Sequence, residues 1–364
     1  MDIRGGSLMK LEFTKDPVEK MISNAVDYVA RVLMFADLHL DDYGDPLFQD
    51  PKGKFSERIN ALAEVIAYAA DKGISHIYCL GDFFHARTKL SIPLLNLVSR
   101  IFKESFLKYG VTFVLLKGNH DTYIKDVSSS SISVFEGEGI EIIDEPVLFK
   151  SLGMLAIPFG SEKSNKTLPS EILTIMHTEF EGAVNNGYKV MKSDMKSSQF
   201  KGVVLTGHYH QSQLVSDNVY YLGSLLQQDF AERDNETGFY DCLLFKSKVI
   251  LKKHFIDSPK YYYVDFEKME GFPKDYVDSY VRVFVEKENF DRALNSFTEK
   301  GLYFRSLDIR EKIKEGSSEI SIKEEKEIET DAIGKYLEHL QVPESEIKSR
   351  KDKAEEILNE IKEN

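Results

Sequence analysis

Short apolar runs rich in β-branched and aromatic residues recur from Arg31 onward: Arg31 to Phe35, His76 to Leu80, Val111 to Leu116, Ile172 to Met176 and Val203 to Thr206. Their lengths and turn-forming borders predict strands. Between the first two, Ser56 to Lys72 places Ile59, Leu62, Val65, Ile66 and Ala69 at helical spacing, which predicts a connecting helix. Strands alternating with helical stretches favour an α/β layered sheet over a bundle or an all-β sandwich. Each run also stops at a polar residue able to bind a cation: Asp37, Asp82, Asn119, His177 and His208. Sites in α/β sheets gather at the carboxyl ends of strands, so residues spread over about 170 positions can converge there.

The pattern changes near Ser258-Pro259. Tyr261-Tyr262-Tyr263 is followed by a strand-helix-strand unit at Tyr280 to Val285, Phe290 to Lys300 and Leu302 to Ile309. Beyond Ile313 the chain is strongly charged, and it ends in two amphipathic stripes, Ile333, Tyr336, Leu337 and Leu340, then Ile347, Ala354, Ile357, Leu358 and Ile361, split by Pro343. The expected organisation is an N-terminal extension over 1–30, a main domain over 31–257, a small α+β domain over 258–327 and C-terminal helices over 328–364. Met1 to Leu8, with Gly5-Gly6-Ser7 before a second methionine at Met9, reads as a vector-derived leader rather than native sequence.

Composition adds limits. A length of 364 residues is ample for a large core plus a second domain. The net charge of -13 argues against a protein that coats DNA nonspecifically, because such proteins carry a basic excess. It leaves room for an enzyme whose bound cations supply the positive charge locally, and it suits a member of a larger complex. Cys79 and Cys242 have neither knuckle nor disulfide spacing, which fits a reducing compartment. There is no signal-peptide pattern and no apolar run near the ~20 residues that span a bilayer, so the expected location is cytoplasmic, with no membrane partner.

The chemistry lies in a series of motifs. Asp37-Leu38-His39 presents two ligand types two residues apart; Gly81-Asp82 adds a carboxylate, Gly118-Asn119-His120-Asp121 an amide and an imidazole, His177 an imidazole, and Gly207-His208-Tyr209-His210 a final pair. A carboxylate can bridge two cations at roughly 3.5–4 Å, and Asp82 is the candidate bridge. Imidazole and carboxylate together suit manganese, iron or zinc, whereas magnesium favours oxygen. His76, His254 and His339 fit no motif.

The order Asp-x-His, Gly-Asp, Gly-Asn-His-Asp, His, Gly-His-x-His resembles the calcineurin-like metallophosphoesterase superfamily over roughly Arg31 to Phe255. Gly81-Asp82-Phe83-Phe84-His85 and Tyr221-Leu222-Gly223-Ser224 look most like the nuclease subunits called SbcD, the meiotic-recombination-eleven proteins and exonuclease subunit one of tailed bacteriophages. The resemblance implies a two-sheet sandwich flanked by helices, with a small capping domain that binds DNA. It implies two manganese ions, magnesium or another divalent transition metal being the alternative. Asp37, His39, Asp82 and His210 would hold one ion and Asp82, Asn119, His177 and His208 the other. His120 would be the general acid with Asp121 orienting its ring, and His85 would sit beside the metals and help hold the phosphate. The implied protein is a homodimeric DNA exonuclease and endonuclease in repair, recombination or replication, whose terminal helices grip an SbcC-type, SMC-like coiled-coil ATPase. Departures from the pattern are Met176 before His177, where relatives carry glycine, the thirty-residue extension, and the acidic loop from Leu40 to Lys54. Two alternatives remain open at this point: a phosphoesterase acting on small molecules or phosphoproteins, and a scaffold for the ATPase with little catalysis.

Overall fold

Strand side chains alternate between two cores, and that alternation sets the layers. The computed structural model describes residues 9–22, 26–41, 54–87, 89–123, 130–137, 139–161, 173–269, 276–298, 304 and 306–312. The first half comprises β1 (Lys10–Phe13), α1 (Glu19–Ile22), β2 (Tyr28–Phe35), α2 (Lys54–Lys72), β3 (His76–Cys79), α3 (Ile92–Tyr109), β4 (Thr112–Leu116) and β5 (Ile140–Ile143). There follow β6 (Val147–Phe149), β7 (Met154–Ile157), β8 (Leu173–His177), β9 (Val204–Gly207), β10 (Gln213–Ser216), β11 (Val219–Tyr221), β12 (Gly238–Phe245) and β13 (Lys248–Phe255). The last described elements are β14 (Tyr261–Asp265), β15 (Tyr280–Val285), α4 (Phe290–Thr298) and β16 (Ser306–Glu311). They form a seven-stranded sheet in the order β1-β13-β12-β2-β3-β4-β5, a six-stranded sheet β10-β11-β9-β8-β7-β6 and a three-stranded sheet β14-β15-β16.

On β2, β3 and β4 the residues Leu33, Phe35, Ile77, Cys79, Phe113 and Leu115 face α2 and α3 in one core. Their neighbours Val32, Met34, Tyr78, Leu80, Val114 and Leu116 face Met154, Ala156, Leu173 and Ile175 of the second sheet. A period of two thus serves two cores at once, which is why these strands read as unbroken apolar runs. The outer face of the second sheet is covered by Phe180 and Phe200 against Met176, Val204 and Tyr221. The expected two-sheet sandwich flanked by helices is therefore what forms.

Several elements differ in extent from the sequence expectation. The helix expected over Ser56 to Lys72 begins at Lys54. α3 was not anticipated, although its end signals were present: Ser91 accepts a capping bond from Leu94 N at 3.2 Å, Pro93 lies in the first turn, and Gly110 closes the helix at φ 66°. Within the leading thirty residues, Lys10 to Phe13 pair parallel with Lys248 to Leu251, so this segment supplies the edge strand of the first sheet. In the third sheet, β14 pairs parallel with β15, and Val264, Val281 and Val283 pack on Phe297. The chain divides into units 1–310 and 311–364. The C-terminal stripes lie outside the described residues. Among those described, no helix is long and apolar enough to cross a membrane.

β2 and β12 are joined by a buried polar tie as well as by their ladder. Asp241, fully buried, accepts from Arg31 Nε at 3.0 Å and Nη2 at 2.7 Å and from Tyr68 Oη at 2.9 Å. Removing one partner of a buried pair strands the other charge, so Asp241→Ala is expected to cost about 3–5 kcal/mol. Urea denaturation would measure it, and a loss below 1 kcal/mol would contradict the role given to this tie.

Candidate metal centre

Parallel β2, β3 and β4 end on the same side of the first sheet, and parallel β8 and β9 end together in the second. The ligand motifs follow these ends at once. Asp37 and His39 come after β2, Asp82 after β3, Asn119 after β4, His177 closes β8, and His208 and His210 follow β9. His177 therefore needs no glycine turn before it: Met176 is a buried strand residue packed in the outer core, and the strand itself delivers the imidazole.

All seven expected ligands, together with His85 and His120, gather at one place. Three groups have ligand atoms that lie within 4.8 Å of one another: Asp37, His39 and His210; Asp82, His177 and His208; and His39, His85 and His120. Asp82 connects the first two. Its Oδ2 lies 3.7 Å from His39 Nε2 and 3.5 Å from His177 Nε2, one histidine from each sheet. Its Oδ1 accepts from His120 N at 2.7 Å. Asp37 spans the same seam, accepting from His208 N at 3.1 and 3.2 Å.

The backbone is bent hard to achieve this. Asp37, His39, Asp82 and His208 all take positive φ (53°, 49°, 53° and 102°), a conformation costing on the order of 1–3 kcal/mol each for a non-glycine residue. Two glycines leave the space required. A Cβ on Gly118 would lie 2.2 Å from Asp82 Oδ1 and 2.3 Å from Asp82 N, and one on Gly81 would lie 2.2 Å from His177 Nδ1.

Hydrogen bonds set which nitrogen of each ring faces inward. His177 Nδ1–H donates to Leu80 O at 2.8 Å, His210 Nδ1–H to Glu232 Oε1, and His208 Nε2–H to Glu179 Oε1 at 3.2 Å. That leaves lone pairs on His177 Nε2, His210 Nε2 and His208 Nδ1. His210 Nε2 stands 3.1 Å from His39 Nε2. Asn119 Oδ1 stands 2.9 Å from His177 Nε2 and 2.8 Å from His208 Nδ1. Turning that amide over would let its nitrogen donate to both imidazoles and its oxygen accept from Arg87. Hydrogen bonding alone favours the turned amide; oxygen and nitrogen lone pairs converging on a point are what a cation requires. The donor set of imidazoles, carboxylates and one amide oxygen fits divalent transition metals. Outer carboxylate and carbonyl partners on the ligating rings complete the pattern of a built site.

The buried charges respond to each other. Burial works against ionisation of Asp82, but His177 and His39 outweigh it and hold the carboxyl below its usual range. Burial pushes Asp37 up to about 6. Burial also opposes charge on His177 and His210, but Asp82 beside the first and Glu232 beside the second push each up to about 9. Burial and the neighbouring His177 push His208 down to about 3.

His120 and Asp121 differ from the expectation in one respect. Asp121 does not orient the His120 ring. Fully buried, it accepts from Gly118 N at 2.9 Å, Phe84 N at 3.1 Å and Phe83 N at 3.4 Å, tying the β3 and β4 loops together. The ring is held instead by its Nδ1–H donating to the carbonyl of His85 at 2.8 Å. His85 stacks on it at 5.3 Å and brings its own Nδ1 to 3.4 Å from His39 Nδ1.

Residues outside the motifs also serve the site. Buried Arg58 on α2 donates to His39 O at 3.0 Å and to Gln228 Oε1, while Gln228 Nε2 donates to Asp37 O at 3.2 Å. Arg58 had a readable signal, since it precedes Leu62 by four and Val65 by seven on the apolar stripe of α2. Glu179, Gln228 and Glu232 carry no such spacing.

A ring held protonated below about pH 9 must lose its proton before it can ligate. Cation affinity is therefore expected to rise with pH until both His177 and His210 are neutral, near 9, and then to level off. Calorimetric titration with manganese at pH 7 in buffers of different ionisation enthalpy should give observed heats that change with the buffer in proportion to the protons released; the same observed heat in every buffer would contradict it.

No curated protein matches the chain. Among solved structures, the crystal structure of Pseudomonas putida nuclease MPE is similar at 18% identity and a TM-score of 0.32, covering 60% of this chain and 86% of that one. The family model for calcineurin-like phosphoesterases matches residues 30–283, which take in every ligand described above. Because that match spans well over half of the 364 residues, the chain belongs to the calcineurin-like phosphoesterase family, whose members are hydrolases that bind divalent metals.

Proposed function

We propose that the chain is a manganese-dependent DNA nuclease that hydrolyses phosphodiester bonds with two metals, cutting both at ends and internally. The observation that carries the two-metal reading is Asp82, whose single oxygen lies against an imidazole of each ligand group. Divalent ions bound there would supply Lewis-acid charge for the phosphate oxygens and favour ionisation of the attacking water. The protein's own part is positional and acid–base. His120, with Nδ1 committed to the His85 carbonyl, offers a proton from Nε2 to the departing sugar oxygen. His85 stacks on it and limits its rotation.

What favours a nucleic-acid chain over a small phosphoester is the surface beside the centre. Phe230 stacks with Tyr263 at 5.6 Å; Arg282 lies 4.2 Å over Phe230 and Arg233 4.5 Å over Tyr263. Guanidinium groups resting on an aromatic pair suit recognition of backbone phosphates. Phe230 also begins the turn that ends at Glu232, the partner of His210. Purified protein with manganese is expected to degrade DNA, and a chelator to stop it. His120→Ala should lower kcat by roughly 10²–10⁴ while manganese binding persists. DNA left intact by protein that hydrolyses small phosphodiesters would favour the small-molecule alternative.

The remaining parts of the reading are a homodimer and an SbcC-type ATPase gripped by residues 328–364, in DNA end processing, repair or recombination. They rest on the amphipathic stripes and on the resemblance. Removing 328–364 is expected to abolish ATPase binding in a pull-down and leave DNA cleavage in place. Binding undiminished by the truncation would overturn the assignment.

A further inference from the structure

The two ligand groups are supported differently. His177 is backed by a main-chain carbonyl and His208 by Glu179, whose side chain is 46% exposed. His210 is backed by Glu232, whose side chain is 3% exposed. Both oxygens of Glu232 are used, Oε1 by His210 Nδ1 and Oε2 by Gln228 N at 2.9 Å. Gln228 in turn donates to Asp37 O and accepts from Arg58, which holds His39 O. Asp37, His39 and His210 therefore all reach the same short segment, Gln227 to Glu232. Among the described residues, Asn119, His177 and His208 have no such hydrogen bond to it.

That segment is also fastened to the third sheet. Tyr261 Oη donates to Gln228 O at 2.9 Å, Tyr261 N donates to Gln227 Oε1 at 3.1 Å, and the Tyr261 ring stacks on Tyr280 at 4.4 Å. Tyr280 Oη reaches Glu57, the neighbour of Arg58 on α2, at 2.7 Å.

We propose that Glu232 is a positioning residue for one of the two ions, the one between Asp37, His39 and His210, and that Tyr261 of β14 sets its position through Gln228. The family's ligand motifs contain neither residue. A carboxylate is needed because both of its contacts are with N–H donors. A glutamine could accept only one and would turn its own NH2 toward the other. The capping sheet thereby gains selective influence over a single ion, and a nucleic-acid strand contacting Tyr263 or Phe230 would press on the same segment.

This inference rests on the metal-centre reading but not on DNA as substrate, and metal counting separates the two. Full-length protein is titrated with manganese and the free ion followed by electron paramagnetic resonance. Wild type should bind two ions per chain. Glu232→Gln should weaken one by roughly 10–100-fold and leave the other unchanged. Glu179→Gln should act on the other ion. Tyr261→Phe, which keeps the ring stack, should shift the same ion as Glu232→Gln by a smaller factor and tests the link without touching the buried carboxylate. Wild type binding two ions with Glu232→Gln unchanged, or weakened equally at both, would overturn the proposal alone. Fewer than two ions on wild type would overturn the metal-centre reading and the proposal together.

Discussion

One oxygen atom, Asp82 Oδ2, has to face an imidazole from each of two sheets, and most of the local architecture follows from that requirement. His39 comes from the first sheet and His177 from the second, so the carboxylate must stand at the seam where both sheets end. Only parallel strands running the same way within each sheet bring their carboxyl ends there together. The loops then have to turn within one or two residues, and left-handed backbone at Asp37, His39, Asp82 and His208 is how they do so. Gly118 is required by packing alone, since its neighbour is the Asp82 carboxylate. The strain at four positions persists because buried bonds over-determine it: Asp121 binds three amides, and Arg58 with Gln228 holds two ligand carbonyls.

The same convergence makes the centre electrostatically incomplete without cations. Imidazoles and the Asn119 amide meet across contacts of about 3 Å, His39 against His210 and Asn119 against His177, and Asp82 Oδ2 lies 3.7 and 3.5 Å from His39 and His177. Against the effect of burial, Asp82 beside His177 and Glu232 beside His210 raise the affinity of each ring for a proton and so favour positive charge there. Protons and metal ions compete for that role. The outer partners decide between them, because Leu80, Glu179 and Glu232 fix which ring nitrogen each histidine turns inward.

Much of this could be read from the chain because strand ends and ligands coincide in sequence. The five apolar runs marked the strands that deliver ligands, and each ligand followed its run directly. His177 stood apart only because the preceding glycine is missing, and the structure explains why none is needed: the residue ends β8 itself. Edge strand β1 is hard to read because the alternation of Lys10, Leu11, Glu12 and Phe13 spans only four residues, and its place depends on pairing with β13 over two hundred residues away. The role of Asp121 was hidden for a different reason. Adjacency to His120 suggested ring orientation, but the turn sends the two side chains apart, one inward to amides and the other to the His85 carbonyl. Glu232 and Gln228 lie in a turn with no periodic pattern, where burial and pairing are decided wholly by tertiary contacts.

The net charge of -13 bears on the proposed polyanionic substrate. At physiological ionic strength, repulsion between exposed charges fades over about 8 Å, so the overall balance matters less than what lies within that distance of the scissile phosphate. Among the described cations, Arg282 and Arg233 bracket the aromatic pair while pairing with Asp308 and Asp234, and Lys54 lies 5.5 Å over the Tyr280 ring. The seven-ligand centre adds positive charge only when cations occupy it. An acidic body with a conditional cationic patch would bind the proposed substrate weakly everywhere except at the loaded centre. Discrimination between productive and idle contact would then come from metal occupancy rather than from a general attraction to nucleic acid.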